Sequence, residues 1–180
     1  MAGRRYAALM ALVALGLGTG TGAQNRDAVD FVARQVQLAL LPSVDPKLPG
    51  YELWSHTRPA NDVGGDLIDY LEEPLPRTLG VALGDVAGKG LGAALLMAKL
   101  QASLRATAPG CPELADLGGR LHRPLHRDGL DNRFATLFSA ELPRHGPGSL
   151  RYLNAGHHPL LLVRASGLEP TAPGGRPPGT

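Results

Sequence analysis

Cysteine and aromatic side chains are scarce in this 180-residue sequence. Its single cysteine, Cys111, excludes an internal disulfide framework and a cysteine-rich zinc site. Aromatic residues make up only 4% of the chain, which argues against a surface that stacks the bases of single-stranded nucleic acid. Basic and acidic side chains nearly balance, at a formal charge of +2, so the chain lacks the strong basic bias of a nucleic-acid-binding protein. Nucleic acid is therefore not an expected partner.

A long apolar run is also missing. The uncharged apolar stretch over residues 7–18 is shorter than the about 20 residues that a transmembrane helix needs. It follows Arg4 and Arg5 and precedes a small, polar stretch, which is the three-part layout of a secretory signal. Three interpretations of residues 1–26 stay open: an export signal, a membrane-proximal anchor through residues 6–18, and a mis-assigned start or a piece of a longer upstream region.

Glycine and proline, in contrast, are plentiful. The 24 glycines and 16 prolines make 40 of 180 residues, below the roughly 25–30% of low-complexity chains, and they indicate many turns. Hydrophobic residues at 43% and charged residues at 19% are sufficient for a folded core. The length corresponds to one domain with a short extra segment, or to one domain that is incomplete.

Apolar spacing divides the remaining chain into a leading helix, a linker and a domain. Apolar residues recur at i, i+3 and i+4 from Val29 to Leu40, which predicts an amphipathic helix over residues 27–41. A proline-rich linker completes the segment 27–49, and the domain occupies residues 50–180.

Within the domain, the pattern predicts strands interrupted by one pair of helices. A glycine-rich loop over residues 84–90 precedes the clearest helix, and Pro124 is expected to kink or end the second helix. This order favours an α+β fold with an antiparallel sheet and segregated helices. The predicted strands are 51–58, 66–71, 78–83, 133–142, 149–154 and 160–164, and the predicted helices are 91–107 and 112–127.

Two aspartates lie next to glycines in loops. Asp66 closes a Val-Gly-Gly-Asp stretch, and Asp85 lies in the loop 84–90. Paired glycines let the backbone turn tightly, and a carboxylate held at such a turn can bind a hard cation together with a backbone carbonyl. Without a cysteine or histidine cluster nearby, the favoured ions are Mg²⁺ or Mn²⁺. The alternative is that both aspartates only hydrogen-bond turn amides.

The same loop partly matches two nucleotide-binding patterns. The P-loop pattern fails, because the spacing between its glycines is one residue too short and Gly90 replaces its hydroxyl residue. Residues 88–93 fit the dinucleotide pattern G-x-G-x-x-A, but the flanking segments do not repeat a βαβ unit. Dinucleotide binding therefore stays a minor alternative.

Two histidine pairs lie further along the chain. His122 and His126 are four residues apart with Pro124 between them, so a metalloprotease helix is unsupported and a solvated basic face is expected. His157 and His158 lie at a predicted strand-to-strand turn, and turn structure is their expected role.

Taken together, these stretches resemble the SpoIIE-type, RsbU-like branch of the bacterial metal-dependent PPM serine/threonine phosphatases. The resemblance begins at Gln37-Leu-Ala-Leu-Leu-Pro42 and covers residues 35–180. Five motifs follow in the family's order: Val63-Gly-Gly-Asp-Leu-Ile-Asp69, Gly84-Asp-Val-Ala-Gly-Lys-Gly90, Ala93-Ala-Leu-Leu-Met-Ala98, Phe134-Ala-Thr-Leu-Phe138 and Asn154-Ala-Gly-His157.

The resemblance implies a fold and a metal centre. The implied fold is a four-layer α/β/β/α sandwich of two antiparallel sheets flanked by helices, with its C-terminal part missing here. Two Mn²⁺ or Mg²⁺ ions are implied at one edge of the sheets. Asp66 and Asp85 match the metal-binding and catalytic aspartates, with the backbone carbonyl of Val86 as a further ligand. The residues implied to support the site are Gly65, Asp69, Gly88 and Lys89.

The implied function is that of a protein phosphatase that hydrolyses phosphoserine or phosphothreonine with a water activated by two metal ions. The implied substrate is a phosphorylated bacterial signalling protein of the anti-sigma-factor antagonist type, and a homodimer is an open alternative for the assembly. The expected location is the cytoplasm, against which the signal-like N-terminus argues. The family's further metal aspartates follow the Asn-Ala-Gly-His motif, and the sequence given ends at Thr180. The alternative is therefore a catalytically inactive relative that acts as a protein-interaction module.

Overall fold

The computed structural model describes residues 22–58, 63–72, 77–128, 133–145 and 149–171. Helices and strands alternate in blocks along these segments. The elements are α1 (Gly22–Leu40), β1 (Leu67–Leu71), β2 (Thr78–Val86), α2 (Leu91–Thr107), a 3₁₀ turn (Ala108–Gly110), α3 (Leu114–Asp128), β3 (Ala135–Pro143), β4 (Arg151–Ala155), β5 (Leu161–Arg164) and β6 (Gly167–Pro170).

The strands form two antiparallel sheets. Four of them pair in the order β1-β2-β3-β4, so each strand lies beside its neighbour in sequence. The last two, β5 and β6, form a separate two-stranded sheet. The longest pairing is between β2 and β3, which runs from Thr78 opposite Pro143 to Val86 opposite Ala135. The predicted α+β class with two antiparallel sheets and segregated helices is thus confirmed.

One face of the four-stranded sheet is covered by α2 and α3. Two leucines of β1 that share one face of the strand meet leucines at every fourth position of the helices there, as the strand and helix periodicities allow. Each fully buried leucine contributes about 1.5–3 kcal/mol to the stability of the fold. The buried leucines of this layer are Leu67, Leu71, Leu96, Leu100, Leu104, Leu117, Leu121, Leu125 and Leu137.

Helix α3 corrects one part of the prediction for Pro124, because the proline does not end the helix. The helix continues through Pro124 to Asp128. Leu121 and Leu125 flank the proline and are both buried in the core, so packing on both sides of it holds the helical path. In addition, Lys99 Nζ donates a hydrogen bond to the Pro124 carbonyl at 3.1 Å. The lost backbone bond is therefore offset by tertiary contacts.

Other boundaries differ from the sequence prediction at the ends of elements. Residues 84–86 belong to β2 and not to the glycine-rich loop, because their partners in β3 extend the ladder. Residues 51–58 form no strand; only Tyr51 makes a bridge, to Leu48. Strand β6 was not predicted, because its four residues are exposed and carry no alternating pattern.

The leading helix is found where the sequence predicts it, although α1 begins five residues earlier. Of the predictions for residues 1–26, those on residues 1–21 fall outside the described chain, as do residues 172–180. Among the helices that the structure describes, none has both the length and the apolar character to cross a membrane.

Candidate functional site

Asp66 and Asp85 are brought together by the antiparallel pairing of β1 and β2. Leu67 lies opposite Gly84, so Asp66, one residue before Leu67, lies beside Asp85, one residue after Gly84. Partial desolvation raises the pKa of the Asp85 carboxyl, and the negative charge of Asp66 raises it further. The two carboxylates predicted from the glycine motifs are therefore neighbours. Neither forms an ion pair with a basic side chain in the part of the chain that the structure describes.

A close backbone contact joins the segment that carries Asp66 to the end of β2, which carries Asp85. The Val86 N–H donates a hydrogen bond to the Gly65 carbonyl at 3.2 Å. A Cβ atom on Gly65 would lie 2.5 Å from the Val86 carbonyl oxygen, so only glycine fits at this position. The Val86 carbonyl, predicted as a metal ligand, thus lies against Gly65 and between the two aspartate loops.

A buried glutamine of α1 holds the loop that carries Asp66. Gln37 Nε2 donates to the Gly64 carbonyl at 2.7 Å, and the Gly64 N–H donates to Gln37 Oε1 at 3.0 Å. The Gln37 side chain is only 4% exposed. Ala33 and Gln37 share one face of α1, and Ala33 packs with Val63 and Ala94 on the same side. A buried polar side chain with both amide atoms in use sets the position of the backbone it binds.

The extended segment after the linker, residues 51–58, makes a second contact that positions Asp66. Thr57 Oγ1 donates to Asp66 Oδ2 at 2.8 Å. The segment is itself tied to β1, because Asp45 accepts hydrogen bonds from Ser55 Oγ at 2.6 Å and from Tyr70 Oη at 2.7 Å. These bonds, that from Ser55 first, lower the pKa of the Asp45 carboxyl. One oxygen of Asp66 is thus oriented by a hydroxyl donor.

His157 lies beside Asp85 on the same face of the sheet. Thr136 is the register partner of Asp85, and its Oγ1 is 2.7 Å from His157 Nδ1. The two rings of the His157–His158 pair meet edge to face at 6.4 Å. Burial lowers the pKa of His157, and His158 lowers it further, whereas the charge of Asp85 acts in the opposite direction. His157 therefore does more than shape a turn.

Asp69 points to the other face of β1. Its carboxylate is 1% exposed and makes two hydrogen bonds to Arg105 of α2, at 2.8 and 2.6 Å. Side chains alternate along a strand, so Asp66 and Asp69, three residues apart, lie on opposite faces. Asp69 thus joins β1 to α2, and its link to the aspartate pair runs through the strand backbone.

The segment after Asp85 bends through two glycines. Gly88 has φ 111° and Gly90 has φ 73°, conformations that a side chain rarely adopts. The Arg133 guanidinium lies on this segment, since its Nη1 would be 2.6 Å from a Cβ on Gly88. Lys89 is exposed between the two glycines. Basic groups therefore border the site, while the aspartates themselves stay unpaired within the described residues.

The donor set suits part of a centre for a hard cation. Two adjacent carboxylates and a nearby carbonyl are oxygen ligands of the kind that Mg²⁺ and Mn²⁺ prefer. Desolvation first, and the charge of Asp66 second, raise the pKa of the Asp85 carboxyl, and a bound cation would favour its charged form. Within the described segments, however, no cluster of three or more histidine, cysteine or acidic residues is placed to hold a metal. The residues present thus fit part of a two-metal site.

Several contributors were not predicted from the sequence as site residues. Gln37 could have been predicted as a site residue, because it is a polar residue on the buried face of an amphipathic helix. His157 lies in a motif that carried the family resemblance, although its expected role was a turn. Thr136 lies in a motif that carried the family resemblance, although its contact with His157, 21 residues further on, was not predicted. The contact of Thr57 with Asp66 had no sequence signal.

The fold is that of a PP2C-type phosphatase domain. The solved SiaA-PP2C domain of Pseudomonas aeruginosa superimposes with a TM-score of 0.68 and 23% identity, covering 88% of this chain and 65% of that one. The RsbU and RsbW domains of Rv1364c from Mycobacterium tuberculosis give a TM-score of 0.57 and 29% identity, covering 67% of this chain and 34% of that one.

The chain belongs to the family described as Stage II sporulation protein E (SpoIIE), whose model matches residues 76–180. The match to Protein IcfG of Synechocystis sp. extends over 165 aligned positions at 28% identity, and it covers 76% of this chain and 25% of IcfG. The chain thus spans about a quarter of the length of this relative.

Proposed function

We propose that this domain is a Mn²⁺- or Mg²⁺-dependent phosphatase that hydrolyses phosphoserine or phosphothreonine on a bacterial signalling protein. The observation that carries the proposal is the pairing of Asp66 with Asp85, which lack a cationic side-chain partner among the described residues. Two neighbouring carboxylates without a cationic partner destabilise the fold, but they are suitable ligands for a cation. Family and fold support the same reaction class.

In the proposed mechanism, residues of the chain would hold the cations at the aspartate pair. Asp66 and Asp85 provide carboxylate oxygens, and the Val86 carbonyl is a candidate third ligand. Thr57 fixes one oxygen of Asp66, and Gln37 fixes the loop behind it. When bound, two cations lower the pKa of water and stabilise charge on oxygens at phosphorus. The exposed position of Asp85 leaves the site open to a macromolecular substrate.

The proposed substrate is a phosphorylated protein of the anti-sigma-factor antagonist type. One structural relative joins RsbU and RsbW domains in a single protein, and another belongs to a study of the bacterial stressosome. Both names place this fold among protein-based signalling systems. With such a partner, we propose a cytoplasmic location; homodimer formation and membrane proximity through residues 6–18 stay predictions.

A second candidate is a non-catalytic interaction module on the same scaffold. The observation that favours it is the count of two clustered carboxylates in the described residues, because metal affinity rises with ligand charge and number. The two candidates make opposite predictions for metal binding.

Thermal unfolding with and without Mn²⁺ distinguishes them. A working site stabilises the folded chain by about 2.7 kcal/mol at a Mn²⁺ concentration of 100 Kd, which raises the melting temperature. We expect Asp85→Asn to abolish this rise and any Mn²⁺-dependent hydrolysis of a phosphoserine protein. The matched control is Asp27→Asn on α1, an exposed carboxylate outside the site. No melting shift in the wild-type chain would favour the interaction module.

A further inference from the structure

The guanidinium of Arg133 lies against the turn between β2 and α2. Its Nη1 would be 2.6 Å from a Cβ on Gly88 in the turn, and its Nη2 would be 3.2 Å from a Cβ on Gly92 at the start of α2. Arg133 comes directly before Phe134, whose carbonyl accepts a hydrogen bond from the Ala87 N–H at 2.8 Å. The guanidinium thus occupies space that two glycines leave open, at the sheet edge where β2 ends.

This guanidinium has no counter-charge in the part of the chain that the structure describes. It forms neither an ion pair nor a hydrogen bond with a described residue, and its Nη1 is fully buried. Arginine is always charged, and a charge withdrawn from water without a partner lowers the stability of the fold. Arg133 as a whole is only half-buried, so part of its donor set stays accessible to a ligand. Arg133 is therefore a cation that the fold positions without compensating its charge.

The surroundings of Arg133 add further positive potential. Helix α2 begins at this turn with Gly90 as its N-cap, and its first turn has neither an acidic residue nor a side-chain cap. The N-terminal end of a helix carries a partial positive charge, which disfavours a cation beside it. Lys89 is exposed on the same turn. The fixed charges of the turn thus favour an anion at Arg133.

We propose that Arg133 binds non-bridging oxygens of the substrate phosphoryl group. This rests on the proposed function, because cations held at Asp85 allow an anion to approach this edge of the sheet. A planar guanidinium donates two parallel N–H bonds to a phosphoryl group, which orients the group as well as holding it. Three residues separate Asp85 from Gly88, a span of at most about 11 Å. The phosphoryl group would thus lie between the aspartate pair and Arg133.

Phosphate binding at saturating Mn²⁺ tests the proposal on the full chain. The probe is inorganic phosphate, measured by calorimetry, and Mn²⁺ affinity is measured separately from the paramagnetic resonance signal of the free ion. We expect Arg133→Gln to weaken phosphate binding by about 10- to 100-fold, the range for hydrogen bonds to a charged group, and to leave Mn²⁺ affinity unchanged. Arg133→Lys keeps the charge but loses the paired donors, so it is expected to retain only part of the phosphate affinity.

The exposed Arg120 of α3 is the matched control, and Arg120→Gln is expected to leave phosphate affinity unchanged. The nuclear magnetic resonance signal of the Arg133 Nε–H group, assigned by its loss in Arg133→Gln, provides a direct readout. With Mg²⁺ in place of paramagnetic Mn²⁺, we expect this signal to shift when phosphate or phosphoserine is added and to stay in place when chloride is added at the same ionic strength. A purely structural role of Arg133 does not produce this shift.

Distinct failures separate this inference from the proposed function. Normal Mn²⁺ affinity with equal phosphate affinity in the wild type and Arg133→Gln overturns the inference and leaves the metal site standing. A parallel loss of Mn²⁺ affinity in Arg133→Gln also overturns it, because Arg133 then supports the turn after Asp85 instead of the phosphoryl group. A wild-type chain that binds phosphate through Arg133 but binds no Mn²⁺ contradicts the proposed function and leaves the phosphate-binding role of Arg133 standing.

Discussion

At the residue scale, the position of Asp85 suits cation binding but lowers the stability of the metal-free fold. Desolvation and the neighbouring charge of Asp66 hold the pKa of Asp85 above its usual range. The folded state therefore binds more protons than the unfolded state between the two pKa values, and the free energy of unfolding falls as pH rises across that interval. A carboxylate that lowers the free energy of unfolding of the metal-free chain is typical of a functional site.

We expect Asp85→Asn to raise the free energy of unfolding of the metal-free chain at pH 7. The gain is small, because the side chain is exposed and solvent screens it. It disappears below about pH 3, where the aspartate is protonated in both states. Urea unfolding at the two pH values measures the difference. A less stable variant at pH 7 would mean that the carboxylate is held by favourable contacts.

The contact between Gly65 and Val86 makes a second prediction at this scale. Gly65→Ala places a Cβ 2.5 Å from a carbonyl oxygen, so the backbone must shift at a cost of about 1–3 kcal/mol. Gly119→Ala is the matched control, because its Cβ meets open space on helix α3 and alanine gains about 0.5–1 kcal/mol there. Chemical denaturation compares the two. Equal effects would show that the aspartate loops are not locked.

At the element scale, α1 reaches the site through one side chain. Gln37 binds both backbone groups of Gly64, two residues before Asp66. A second bond, from Gln101 Nε2 to the Leu40 carbonyl at 2.8 Å, ties the end of α1 to α2. A displacement of α1 is therefore transmitted to the loop of Asp66.

We expect Gln37→Ala to cost about 1–3 kcal/mol, because it leaves Gly64 without its partners. It also lowers Mn²⁺ affinity, since Asp66 loses its support. Gln35→Ala, on an exposed position of the same helix, is expected to change neither. Thermal unfolding and Mn²⁺ titration measure both effects. Unchanged Mn²⁺ affinity in Gln37→Ala would show that Thr57 alone orients Asp66.

Helices and strands with a clear periodicity of apolar residues were predicted well from the sequence, whereas contacts between these elements were not. The helix over residues 91–107 was predicted to the residue, because its alanines and leucines favour a helix and a glycine precedes it. Helix α3 runs past Pro124 because core packing overrides a local preference. The two aspartates were predicted from glycine motifs, whereas the contact of His157 with Thr136 joins residues 21 apart and was not predicted.

At the scale of the whole molecule, stability is distributed unevenly. Strands β2 and β3 share nine register pairs and lie against the helical layer. The hairpin β5–β6 has only four pairs and leaves Leu161, Val163 and Leu168 exposed. A two-stranded sheet alone is marginally stable in water. The part of the chain after β4 is therefore its weakest described segment.

Hydrogen exchange measures this difference. The amides of Leu83 and Phe138, paired in the centre of β2 and β3, are expected to exchange about 100-fold or more slowly than that of Val163. The reason is that local opening of the hairpin exposes little core. Equal protection of the two sheets would show that the hairpin is packed against further structure in solution.

The antiparallel pairing of β1 with β2 also has a kinetic consequence. The two aspartates are 19 residues apart in sequence and meet as two consecutive strands pair, and hairpin formation takes about 1–10 μs. Gln37 and Gly64 are 27 residues apart, and their contact joins a helix to a loop instead of two consecutive strands. We therefore expect the electrostatic cost of the carboxylate pair to arise when this hairpin forms, so that a cation bound there favours the paired strands.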